Sequence, residues 1–96
     1  MHIQGLIVAP TRELSLQIAS VVHSIGGHSG VKVHACVGGT NVAEDINLLK
    51  KGGVHIVVGT PGRITDMMKK GVLQADYLRI FIMDEADDML EKGFRP

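Results

Sequence analysis

Short apolar runs alternate with longer amphipathic segments along the whole chain of 96 residues. Four of the runs have the length of strands and are bounded by glycine, proline or acidic residues, which predicts four strands. They cover residues 5–9, 31–37, 54–58 and 78–83. After the first run, apolar residues recur at helical spacing through Leu14, Ile18, Val21, Val22 and Ile25, so one stripe of a helix is predicted there.

Three further stripes predict a helix after each of the other strands. They consist of Val42, Ile46 and Leu49, of Ile64, Met67 and Met68, and of Met89, Leu90 and Phe94. Thr60 followed by Pro61 suits an N-cap and a first helical residue. Alternation of nearly continuous apolar strands with helices is typical of an α/β fold, a parallel sheet with helices on both faces and about four strand–helix units. The carboxyl ends of all the strands then lie along one edge of the sheet.

Three of the predicted loops at that edge share the same chemistry. The segments Ala9–Arg12, Gly38–Asn41 and Gly59–Arg63 each leave a strand and open a helix through threonine and small or rigid residues. A helix N-terminus presents unpaired N–H groups and a partial positive charge, which suits an anion. Arg12 and Arg63 add full charges at two of the loops. A row of such sites fits the repeated phosphates of a nucleic-acid backbone, although any one loop taken alone is better explained as a well-capped α/β turn.

The fourth loop is acidic. Asp84 ends an apolar strand, and Glu85, Asp87 and Asp88 follow it within five residues. An aspartate in this position suits Mg²⁺ beside a nucleotide, and an adjacent glutamate can orient or deprotonate an attacking water. The same residues also suit an acidic helix start that is stabilised by the helix dipole, and the pattern alone leaves both interpretations open.

Composition narrows the function classes. Lys plus Arg equals Asp plus Glu at 10 each, so anion binding must come from local geometry rather than from a global field. Cys36 is the single cysteine, which excludes an internal disulfide. The sequence also shows no signal-peptide pattern and no apolar run long enough to span a membrane. Together these features indicate a cytoplasmic or nuclear protein. His34 and Cys36 share a strand face, but no second pair completes a tetrahedral zinc site.

Together the four loops resemble a known set of motifs. Ala9–Leu14, Gly38-Gly39, Thr60–Arg63 and Asp84–Asp87 look like motif Ia, the GG motif, motif Ib and motif II of DEAD-box ATP-dependent RNA helicases, in that family's order. Within the family, residues 33–42 and 84–94 look most like the eukaryotic initiation factor 4A group, which includes a nuclear member of the exon junction complex. The resemblance covers essentially the whole chain and implies a partial N-terminal RecA-like domain over residues 1–96.

The resemblance also implies roles for individual residues. Asp84 would hold Mg²⁺ through water, Glu85 would position the hydrolytic water, and Asp87 would couple the ATP site to strand separation. The partners implied are RNA, bound without reading its bases, and scaffold proteins of translation initiation or of the exon junction, with no membrane. The residues implied to grip the RNA backbone are Pro10, Thr11, Arg12, Gly39, Thr60, Gly62 and Arg63.

Parts of the family pattern do not occur in this sequence. No G-x-x-x-x-G-K-[ST] phosphate-binding loop is present, and the second helicase domain with its arginine finger is expected beyond Pro96. We therefore expect these residues alone neither to hydrolyse ATP nor to unwind RNA. The alternative is a truncated, non-enzymatic module that binds RNA or the partners of the intact helicase.

Overall fold

Four parallel strands form one sheet in the computed structural model, which describes residues 3–39, 41–74 and 78–83. The strands are β1 (Gly5–Val8), β2 (Val33–Cys36), β3 (Ile56–Gly59) and β4 (Ile80–Met83). Their order across the sheet is β2-β3-β1-β4, and every neighbouring pair is parallel. The predicted parallel α/β sheet is therefore confirmed.

Three helices connect the strands: α1 (Arg12–Gly26), α2 (Val42–Lys51) and α3 (Pro61–Lys69), with a 3-10 turn (Gly27–Ser29) after α1. The chain moves two positions across the sheet from β1 to β2 and then reverses its direction towards β3 and β4. Because crossovers between parallel strands are right-handed, the reversal places α1 on one face of the sheet and α2 and α3 on the other. The fourth predicted helix, through Met89, Leu90 and Phe94, lies outside the described residues.

The main core lies between the sheet and the pair α2 and α3. Alternate strand residues face it, because side chains of a strand point to opposite faces in turn. It combines the strand residues Leu6, Val8 and Val57 with the helix residues Leu49, Ile64 and Met67, and all six are buried. The opposite residues Ile7, Ile56, Ile80 and Ile82 line a space beneath Val22 of α1.

The predicted stripe of α1 was partly wrong. Leu14, Ile18 and Val22 are partly buried, but Val21 is 57% exposed and Ile25 is 76% exposed. The fully buried residue of the helix is Ser15, a polar residue that an apolar stripe does not include. No helix among the described residues is long and apolar enough to cross a membrane.

Candidate nucleic-acid interface

Backbone hydrogen bonds hold the carboxyl ends of β1, β2 and β3 together. Beyond the paired residues, the Ala9 N–H donates to the Gly59 carbonyl at 3.0 Å, and the Thr60 N–H donates to the Cys36 carbonyl at 3.1 Å. The loop that follows each strand therefore starts from a fixed position on one edge. The expected gathering of the three helix N-termini is present in the described part of the chain.

The first loop caps α1 with a threonine. Thr11 is extended, and its Oγ1 accepts a hydrogen bond from the Leu14 N–H at 3.1 Å. A threonine cap satisfies one of the four N–H groups that an α-helix leaves unpaired at its start. Arg12 follows at the first helical position with an exposed side chain.

The second loop passes beneath that arginine. Gly39 has a φ of +88°, a conformation that side chains other than glycine rarely adopt. A Cβ added at Gly39 would lie 3.2 Å from Arg12 Nη1, so the guanidinium rests against the bare backbone. Arg12 and Gly39, separated by more than 20 residues in sequence, thus form one exposed surface.

The N-cap of α2 is Asn41, whose Oδ1 accepts from the Ala43 N–H at 2.8 Å. Thr40 lies outside the described residues. Acidic residues in the first turn, Glu44 and Asp45, complement the helix dipole.

The third loop confirms the predicted helix start. Thr60 is the N-cap of α3, and Pro61 occupies its first turn. The Thr60 side chain makes no capping hydrogen bond, so its hydroxyl does not compete for the N–H groups of that turn. Gly62 is exposed, and a Cβ added there would meet no atom within 4 Å.

Arg63 lies in a different environment from Arg12. It is only 9% exposed, and its Nη1 donates to Asp45 Oδ2 at 2.5 Å. Asp45 is 3% exposed, and its other oxygen accepts from His34 Nε2 at 2.7 Å. The second cation of the expected phosphate row is therefore in an ion pair beneath the surface, and its role in binding RNA stays a prediction.

Asp45 was missed as a site residue, although the sequence holds a signal for it. Val42, Ile46 and Leu49 define the buried stripe of α2, and position 45 falls within that stripe at helical spacing. A carboxylate on a buried stripe requires a partner. The sequence does not say which of the chain's cations supplies it.

Potential metal-ligand atoms of three described residues, His34, Cys36 and Asp45, lie within 4.8 Å of one another. Burial, and after it the nearby Asp45 carboxylate, raise the pKa of the Cys36 thiol from 9.0 to about 12, while the Arg63 guanidinium acts in the opposite direction. A metal would require the thiolate and would face the Arg63 guanidinium across the same carboxylate. The contacts present are those of an ion pair and a hydrogen bond, and they account for the cluster.

The acidic residues Asp84, Glu85 and Asp87 lie outside the described residues. β4 ends at Met83, immediately before them in the sequence.

Comparison with known proteins identifies the family to which this chain belongs. The DEAD/DEAH box helicase family model matches residues 1–96, and the chain belongs to that family.

Curated relatives of the chain include eukaryotic initiation factors 4A. The chain is 56% identical over 92 residues to eukaryotic initiation factor 4A-8 of Nicotiana tabacum, a match that covers 96% of the chain and 22% of the relative. Eukaryotic initiation factor 4A-1 of Arabidopsis thaliana gives the same values, and the factor 4A of Zea mays is 54% identical over the same shares. These identities confirm the resemblance to the initiation factor 4A group. The chain spans about a fifth of the length of these relatives.

Proposed function

We propose that this chain is the RNA-facing and Mg²⁺-facing segment of an ATP-dependent RNA helicase that couples ATP hydrolysis to local unwinding of a duplex. The observation that carries the proposal is the contact between Arg12 and Gly39 at the edge where α1, α2 and α3 begin. An exposed guanidinium beside open backbone, next to helix N-termini, suits phosphates and makes no use of base edges. The proposed RNA contacts are Pro10, Thr11, Arg12, Gly39, Thr60 and Gly62, and Arg63 lies beneath them in its ion pair with Asp45.

The nucleotide part of the proposal rests on family membership and on the chemistry of the acidic segment. Carboxylate oxygens are the ligands that Mg²⁺ prefers, and Asp84, which directly follows β4, fits this role through an intervening water. The ion supplies charge neutralisation at the phosphates when Mg-ATP is bound. Glu85 would orient the attacking water, and Asp87 would link this site to strand separation.

The names of the relatives, initiation factors 4A, suggest partners for the whole protein. We propose scaffold proteins of translation initiation or of the exon junction, and a cytoplasmic or nuclear location. The 96 residues by themselves are proposed to be inactive in ATP hydrolysis, because their sequence has no P-loop to hold the phosphates.

Binding of a single-stranded RNA by a full-length chimaera tests the interface. In this chimaera residues 1–96 replace the matching segment of a full-length relative, and the affinity is measured by fluorescence anisotropy over a series of salt concentrations. Arg12→Ala should weaken binding and reduce the salt slope by about 0.7, the value for one lost contact to a single strand. Arg79→Ala is the matched control, since Arg79 is exposed at the opposite end of the strands, where its N–H donates to the Gln4 carbonyl.

Equal effects of Arg12→Ala and Arg79→Ala on RNA affinity and salt slope would contradict the proposed interface. The weaker binding would then follow from the loss of any positive charge, wherever it lies. For the nucleotide part, Glu85→Gln in the chimaera should slow ATP hydrolysis and leave ATP binding nearly intact. Loss of ATP binding instead would remove Glu85 from the proposed role, and ATP turnover by the isolated 96 residues would contradict their proposed inactivity.

A further inference from the structure

A buried carboxylate joins three elements directly behind the proposed RNA surface. Asp45 belongs to the first turn of α2, Arg63 to the first turn of α3, and His34 to β2. Arg63 Nη1 and His34 Nε2 each donate to a different oxygen of Asp45, at 2.5 and 2.7 Å. Both oxygens of the carboxylate are therefore bound by side chains from other elements.

The position of this network in the chain gives it a geometric role. Asp45 lies four residues after the N-cap Asn41, and Arg63 lies three residues after the N-cap Thr60. The Asp45–Arg63 pair consequently connects the helix N-terminus that follows the GG motif with the helix N-terminus that lies within motif Ib. A second connection between the same regions is the hydrogen bond from the Thr60 N–H to the Cys36 carbonyl.

We propose that Asp45 is a positioning residue for RNA binding, and that Arg63 acts on RNA through Asp45 rather than as a phosphate ligand. The pair sets the distance between the N–H groups that open α2 and those that open α3, so that successive phosphates of one strand meet both. This inference rests on the proposed function, because it concerns the same surface.

Burial is the reason that Arg63 stays with Asp45. At 3% exposure the carboxylate of Asp45 has little access to water, and an unpaired charge in such a place is unfavourable. Turning Arg63 outwards to a phosphate would exchange a short, desolvated ion pair for one in contact with water. Arg12, by contrast, is exposed already and reaches a phosphate without breaking a buried contact.

The first experiment compares the two sides of the ion pair in the full-length chimaera, with the single-stranded RNA and salt series described above. The proposal expects Asp45→Asn and Arg63→Gln to weaken RNA binding by at least about tenfold each, the size expected for loss of a charge-assisted contact. It expects the two variants combined to be no weaker than either alone, because they break one interaction. Tighter binding by Asp45→Asn would overturn the proposal, since it would mean that release from Asp45 lets Arg63 attract phosphate.

The second experiment removes both charges and keeps the packing. In Asp45→Leu with Arg63→Met, an apolar pair of similar size replaces the ion pair, an exchange that buried ion pairs often tolerate. His34 remains partly exposed and can hydrogen-bond water. The proposal expects affinity and salt slope to return to the parental values, although the arginine is absent. A double variant with parental thermal stability and persistently weak RNA binding would identify Arg63 as a direct ligand and overturn the proposal.

A stability control separates positioning from general damage to the fold. Leu73 is buried in the same core but belongs to none of the loops at the proposed surface. Leu73→Ala should lower the thermal midpoint, as Asp45→Asn does, and leave the salt slope of RNA binding unchanged. A slope change in Leu73→Ala as large as that in Asp45→Asn would contradict the positioning role. Failure of the unmutated chimaera to bind RNA would overturn the proposed function and this inference together, whereas every other adverse outcome leaves the proposed function in place.

Discussion

Gly59 is the residue at which the structure makes its sharpest prediction. It ends β3, beside the end of β2 and directly before the N-cap of α3. A Cβ added there would overlap the Cys36 carbonyl oxygen and would lie 2.6 Å from Ile64 Cδ1. Ile64 is fully buried, so it has no solvent into which it can move.

The cost of Gly59→Ala follows from these contacts. Overpacking of a core costs about 1–3 kcal/mol. The displaced Cys36 carbonyl also accepts from the Thr60 N–H at 3.1 Å, and losing that hydrogen bond costs about 1 kcal/mol. The reduced freedom of the unfolded chain returns about 0.4–1 kcal/mol. The net loss is about 1–4 kcal/mol, and it falls on the loop that carries Thr60.

Hydrogen exchange followed by mass spectrometry in the full-length chimaera measures this loss locally. Amides of residues 54–60 should exchange about fivefold to several hundredfold faster in Gly59→Ala, since each 1.4 kcal/mol of opening free energy is a factor of ten. The matched control is Gly27→Ala at the C-cap of α1, where φ is −60° and an added Cβ would meet no atom within 4 Å. That variant should be neutral or slightly stabilising. Unchanged exchange of residues 54–60 in Gly59→Ala would refute the close approach of β2 and β3.

Three further changes test other features of the same edge. Thr11→Ala should lower the stability of α1 by about 1 kcal/mol, because it removes the N-cap hydrogen bond from the Leu14 N–H, whereas Thr11→Ser retains that bond. The loss should appear as faster hydrogen exchange in the first turn of α1, and equal exchange in the two variants would exclude the cap. Ser15→Ala should be neutral or raise stability by about 1 kcal/mol, because the buried Ser15 hydroxyl has no partner among the described residues; a clear loss on urea unfolding would reveal a hydrogen bond there. The pKa of Cys36 is raised to about 12 in the folded protein. Its contribution to the free energy of unfolding is therefore complete below about pH 9. The contribution declines as the pH rises towards 12, by up to about 1.4 kcal/mol per pH unit. Cys36→Ala should therefore lose stability less steeply than the parent between these pH values, and identical slopes would contradict a thiol held neutral by burial.

Hydrophobic patterning predicted the elements well because most residues of the strands are apolar. Three strands read as nearly continuous apolar runs, the second mostly alternates through residues 31–37, and the structure confirms all four. Strand boundaries differ by at most two residues: β3 covers Ile56–Gly59 rather than residues 54–58. Gly59 was assigned to the loop after the strand, yet it is the last residue of β3, and its missing side chain permits β2 and β3 to pair through their last residues.

Patterning was less informative about which face of a helix is buried. In α1 the fully buried residue is the polar Ser15, whereas the apolar Ile25 is 76% exposed. Hydropathy alone assigns such a residue to the surface.

Loop chemistry had a similar limit at the candidate site. Thr60 followed by Pro61 correctly predicted the start of α3, since the residue preferences of a helix start depend on neighbouring residues in the sequence. The environment of Arg63 depends on Asp45, 18 residues away and on another helix. No local pattern contains that pairing, and so two arginines that look alike in sequence differ in exposure and in partner.

This difference changes the expected balance of forces at the proposed RNA surface. With Arg63 paired to Asp45, Arg12 is the exposed arginine among the described residues of the three loops. The remaining attraction for phosphates then comes from backbone N–H groups at three helix N-termini, which carry partial charges and do not depend on a basic surface. A chain with no net charge can bind a polyanion in this way only if those N–H groups are spaced to match it. The proposed interface therefore depends on the rigidity of the sheet edge, which the buried ion pair between the first turns of α2 and α3 supports.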